Sequence, residues 1–157
     1  MERSDAAGAA AAAEYFLDLY PYAMLTGDLA EWDRISARGC VFCAVFRSTV
    51  AHTYDVGGRF TGGALTHQPG TVLNQDPVIG GYLVEVHYEV SPGMELDADD
   101  EPVAPVLAET ATAYVDTVYS YDGWTLVELG TDPRYALFGP PMHPISEVAP
   151  TQHAPGP

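Results

Sequence analysis

Apolar residues change period at Gly57-Gly58, and that change constrains the fold of this chain more than any other feature. Before the glycine pair they recur every three to four residues, the spacing of one helix face; after it they alternate, the spacing of one strand face. A chain with helices first and strands after segregates the two, giving an α+β layout rather than a series of βαβ units.

The helical part divides into three. The spacing predicts a first helix over 11–25, with Tyr15, Phe16, Leu19, Tyr22 and Ala23 as its buried stripe and Glu14 and Asp18 outside it. Thr26-Gly27 ends it, and residues 1–10 read as a flexible segment. Asp28 reads as an N-cap with Glu31 three residues on, opening a short helix whose apolar side is Leu29, Trp32 and Ile35. A third helix is expected from Cys40 or Val41 to about Val56, with Phe42, Val45, Phe46, Thr49 and Val50 on one face.

Strands are expected over 59–68, 71–75, 82–90, 106–119 and 124–129, the last two joined by a turn at Tyr121-Asp122-Gly123. The clearest is 82–90. Tyr82, Val84, Val86, Tyr88 and Val90 share one face, while Leu83, Glu85, His87 and Glu89 share the other. Residues 91–105 read as an acidic loop. Their run ELDADDEP lacks the glycine and terminal glutamate of an EF-hand loop, so no metal site is assigned. The stretch 139–157 holds six prolines and reads as a disordered tail, which leaves 11–138 as one domain.

Charge narrows the partners. Twenty-two acidic residues face six basic ones, a net charge of −16, and nucleic acid needs a basic footprint that this chain lacks. No run approaches the length of a membrane span, and the N-terminal stretch has no charged-then-apolar start. The chain is therefore expected either in the cytoplasm or outside it after loss of an export segment.

Cys40-x-x-Cys43, the only cysteines, admit two readings. Thiols at a helix N-terminus have lowered pKa values, as in redox pairs; a disulfide pinning the helix start is the other. A thioredoxin-like pair would follow a βαβ unit, whereas two helices precede this one, and a zinc site would need further ligands.

Three helices followed by an antiparallel sheet is similar to the nuclear transport factor 2-like cone, the architecture of SnoaL-like polyketide cyclases and ketosteroid isomerase. The segment EYFLDLYPYAMLTGDLAEWDRISARGCVFCAVF, with its aromatic helix, Thr-Gly-Asp turn and Cys-x-x-Cys helix start, resembles an uncharacterised actinobacterial domain family of secreted or lipid-anchored proteins. The resemblance implies a cone of three helices packed on a curved sheet, placed outside the cytoplasm, with no assigned reaction; no cofactor is expected. In that setting a Cys40–Cys43 disulfide is the favoured reading.

Glu85, His87 and Glu89 look like an acid/base group, but their face opposes the apolar one and is expected in solvent. An interior pocket would be lined by Tyr22, Trp32, Tyr82, Tyr88 and Tyr114, with Asp33, Thr112 or Asp116 as polar members; aromatic bodies with polar tips suit a small apolar ligand or a protein partner. No catalytic residue is assigned. The expected function is a non-catalytic extracytoplasmic binding or accessory domain; the alternative is a small-molecule isomerase, cyclase or hydrolase using that pocket. Cone folds pair through the outer sheet face, so a homodimer is a candidate assembly.

Overall fold

The computed structural model describes residues 3–132. Three helices come first, α1 (Ala6–Thr26), α2 (Ala30–Ile35) and α3 (Val41–Asp55). The strands that follow are β1 (Arg59–Gly62), β2 (Leu65–His67), β3 (Thr71–Gln75), β4 (Tyr82–Val90), β5 (Gly93–Leu96), β6 (Pro102–Val106), β7 (Glu109–Ser120) and β8 (Gly123–Gly130). The α+β class and the antiparallel pairing agree with the sequence pattern. The proline-rich stretch 139–157 lies outside the described residues.

α1 begins at Ala6, ahead of the expected start, because Asp5 caps it by accepting the Gly8 N–H at 3.1 Å. Its alanines are not filler. Ala9, Ala12 and Ala13 are fully buried and extend the stripe of Phe16 and Ala23 one further turn, so that the helix backbone lies close to the sheet. Gly27 closes α1 in the left-handed conformation, φ 72°, with its N–H on the Ala23 carbonyl at 2.9 Å. A Cβ there would fall 2.7 Å from the Tyr54 ring, whose hydroxyl donates to the Met24 carbonyl at 3.2 Å and ties α3 to the end of α1.

The expected Asp28–Glu31 capping box does not form. Leu29 occupies the N-cap of α2, Asp28 accepts from the Ala30 N–H at 3.0 Å, and Glu31 instead pairs with Arg34 and accepts from the Tyr15 hydroxyl at 2.9 Å. An arginine one turn along the helix outcompetes a neutral backbone donor for the carboxylate.

β4 and β7 form the centre of a five-stranded sheet, paired without interruption from Tyr82↔Thr117 to Val90↔Glu109. β8 flanks β7, while β2 and β3 share the other side of β4, β2 against its last residues and β3 against its first. β1, β5 and β6 make a second, three-stranded sheet. The single strand expected over 59–68 is broken at Gly62-Gly63, where φ values of 68° and 69° turn the chain from one sheet to the other. Most of the expected loop 91–105 is strand for the same reason, since β5 and β6 complete the second sheet. Only the acidic turn around Asp97–Glu101 is left as a hairpin, with the Asp97 carboxylate accepting from Asp99 and Glu101 N–H groups at 2.9 Å. The strand expected over 106–119 is consequently β7, shifted to Glu109–Ser120.

The core lies between α1 and the central sheet. Val84, Val86, Ala113, Val115 and Leu126 are fully buried beneath Phe16, Ile35 and the α1 alanines. A register shift at Asp116/Thr117 leaves Val127 out of the β7–β8 ladder. It sets Leu129 opposite the inward-facing Val115, a position that strict alternation from Leu126 would have turned outward.

Candidate functional site

A cavity of about 460 Å³ opens between the three helices and the C-terminal end of β4. Helical spacing brings Phe16, Leu17 and Tyr20 of α1 to it, with Trp32 of α2 and Val41, Phe42 and Val45 of α3. The sheet contributes Leu65, Tyr88, Val90, Glu109 and Leu129, Val90 and Glu109 being directly paired across β4 and β7. Phe16, Leu17 and Trp32 are buried and form the floor; Val41, Val45, Glu109 and Thr131 are exposed and mark the mouth. Tyr20, Trp32, Phe42 and Phe46 stack as one aromatic group on the helical side, with Phe46 centred 4.5 Å from both Tyr20 and Trp32.

The wall at α3 is fixed by the corner that precedes it. Cys40 and Cys43 are joined by a disulfide, both buried, with Cα atoms 5.3 Å apart. The Cys40 sulfur accepts the Cys43 N–H at 3.1 Å, and the Trp32 indole N–H donates to the Cys43 carbonyl at 3.2 Å. The first turn of α3 then meets a carboxylate from the sheet. Glu128 of β8 accepts from the N–H groups of Val41 at 2.9 Å and Phe42 at 3.1 Å, and from its neighbour Leu129 at 3.1 Å. A helix N-terminus carries unpaired donors and partial positive charge, so this long-range cap satisfies both at once.

On the opposite wall, burial pushes the Tyr88 hydroxyl up to about 12, and the adjacent Glu109 carboxylate adds to the shift. Tyr20 is raised by the same two causes in the same order. Both phenols are therefore neutral donors at physiological pH, and Glu109 bears on each of them from the mouth.

The profile of a family of unknown function, DUF6318, matches residues 1–130. The chain belongs to DUF6318. Its fold is similar to the crystal structure of the intermembrane space region of the chloroplast protein ARC6, with a TM-score of 0.58 at 17% identity, over 82% of this chain and 96% of that one. No curated protein matches the chain.

In this DUF6318 domain only two of the eight residues expected around a pocket, Trp32 and Tyr88, line the cavity. Tyr22 is 48% exposed and donates to Asp28 at 3.1 Å, because the face of α1 turned to the cavity is that of Phe16 and Tyr20, not that of Tyr22. Asp33 sits on the outside of α2, paired with Arg47 at 2.7 Å. Tyr82 is buried elsewhere in the core, against Trp124. Thr112 and Tyr114 belong to the outward parity of β7: Thr112 bonds His87 at 2.8 Å and Tyr114 lies beside Glu85. Glu85, His87 and Glu89 share that outer face, with His87 exposed and 3.6 Å from Glu85. Leu83 departs from its neighbours there, being buried under the 74–81 segment. Among the described residues no helix is long and apolar enough to cross a membrane.

The outer face also holds a strained charge. Burial, then the charges of Asp76 and Glu128, push the Asp116 carboxyl up to about 6. The native state thus binds this proton more tightly than the unfolded chain does. Its contribution to stability is complete below the ordinary aspartate range and is lost as pH rises through about 6. Asp116→Asn should therefore stabilise the domain at pH 7 by about 1 kcal/mol, after discounting for solvent screening, and by nothing at pH 4. Thermal melts of both proteins at the two pH values read this; an equal difference at each would overturn it.

Proposed function

We propose that this domain is a non-catalytic binding domain that works outside the cytoplasm and holds a small apolar ligand in the mouth of a nuclear transport factor 2-like cone. The observation that carries the reading is the cavity itself, apolar and aromatic on its floor and open at one end. The disulfide supports the placement, since such bonds persist in oxidising compartments. The resemblance of the N-terminal helices to secreted and lipid-anchored actinobacterial domains points the same way. An acid/base mechanism of the isomerase kind would need a sequestered carboxylate opposite Tyr88. The two carboxylates that line this cavity among the described residues are otherwise placed: Glu128 spends its oxygens on backbone N–H groups, and Glu109 is exposed at the mouth.

A neutral apolar fluorophore such as N-phenyl-1-naphthylamine tests the reading. Saturable binding at one site per chain is expected, weakened at least about tenfold by Val45→Trp, which closes the mouth from an exposed position that tolerates bulk. Absence of saturable binding, or binding indifferent to Val45→Trp, would remove the cavity as the site.

A further inference from the structure

The cavity has a charge preference built into it. Among the described residues two carboxylates, Glu109 and Glu128, line it, and no arginine does. They are not equivalent. The N-terminus of α3 would by itself be a seat for an anion. Glu128 already fills that seat, accepting from Val41 and Phe42 N–H groups. An anionic ligand would find the helix donors taken and a second carboxylate, Glu109, at the mouth. Among the described residues no helix end offsets the charge of Glu109, which bears on the neutral hydroxyl groups of Tyr88 and Tyr20. Around the same space stand Tyr20, Trp32, Phe42 and Tyr88, aromatic rings whose faces are electron-rich. Aromatic rings beside a carboxylate whose charge is not offset form an environment that favours a positive, weakly hydrated head group over a neutral or negative one.

We infer that the occupant of this cavity is an apolar cation, a molecule with a hydrocarbon body seated on the Phe16–Trp32 floor and a substituted ammonium at the Glu109 mouth. This rests on the binding reading above and adds the class of the ligand. The acidic surface of the whole chain raises the local concentration of any cation, so the decisive quantity is not affinity for cations as such. It is the part of the preference that Glu109 alone supplies.

The test uses three probes of one chain length, octyltrimethylammonium, octyl glucoside and octyl sulfate, titrated calorimetrically below their micellar concentrations. The cation should bind about tenfold or more tightly than the neutral probe, with the sulfate weakest. Glu109→Gln should cut the cation's advantage to within about threefold while leaving the neutral probe's affinity unchanged. Glu89→Gln, which removes the same charge from the opposite, exposed face of β4, should leave the advantage intact. Binding of the neutral probe with no preference for the cation, or a preference equally sensitive to Glu89→Gln, overturns the inference and leaves the apolar site standing. Failure of all three to bind overturns both. Glu109 is exposed, so its variant retains the fold, and circular dichroism confirms that before titration.

Discussion

Trp32→Ala should destabilise the domain by about 4 kcal/mol, the largest effect of any single change at the site. The indole is 1% exposed and packs on Phe46 at 4.5 Å and Phe42 at 6.2 Å. Its truncation removes a large buried ring and opens a hole that the surrounding helices cannot close without moving the α2–α3 corner. It also removes the indole N–H that the Cys43 carbonyl accepts at 3.2 Å, a tie from α2 to the first turn of α3. Trp32→Phe separates the two contributions. It keeps much of the packing and loses the hydrogen bond, for an expected cost of about 1–2 kcal/mol. Urea unfolding of the three proteins measures both steps. A loss under about 2 kcal/mol for Trp32→Ala would mean that the indole does not hold the corner together.

Glu128→Ala should cost about 3 kcal/mol, far more than a half-exposed glutamate on an edge strand ordinarily would. Its carboxylate caps the first turn of α3 from the other layer of the fold, so truncation leaves the N–H groups of Val41 and Phe42 without their acceptor and loosens α3 from β8. Glu128→Gln keeps one carbonyl acceptor and loses the charge interaction with the helix end; it should recover about half of the loss. Hydrogen exchange gives the sharper readout. In the alanine variant protection should fall first in the early turns of α3 while the β4–β7 amides keep theirs. Uniform loss across both would show that Glu128 acts on global stability only.

The class of fold could be read from the chain because it rests on periodicity, and periodicity survives local irregularity. The three helices and the long strands β4, β7 and β8 follow from it. What could not be read depends on events at single residues. Gly62-Gly63 look like ordinary glycines within a strand pattern, yet they divide it between two sheets. Glu31 satisfies a capping-box pattern, but Arg34 at i+3 takes it.

The site was half legible. The parity of β7 was available in the sequence: Ala111, Ala113 and Val115 alternate with Thr112, Tyr114 and Asp116, so the odd positions face inward and Glu109 stands on the cavity side at the strand's start. Thr112 and Tyr114 suit a pocket by their chemistry, but that parity places them on the outer face. On α1 the Phe16 and Tyr20 pair, one turn apart, is the corresponding signal for the cavity face. Glu128 carried none. Its partner amides lie 86 and 87 residues away, and nothing local marks a strand glutamate as the cap of a distant helix.

The α2–α3 corner has one more consequence, for the company the sheet keeps. β8 is an outermost strand, and such strands offer unpaired carbonyls and amides on which a second chain can build. Here the Leu126 carbonyl is taken by the Ala37 N–H at 2.8 Å, and Ser36 forms a bridge beside it. The disulfide-pinned turn thus lies along the border of the sheet as a selvedge, interrupting the row of open backbone groups at its middle. A chain in which this corner has come loose exposes the edge that would start an aggregate.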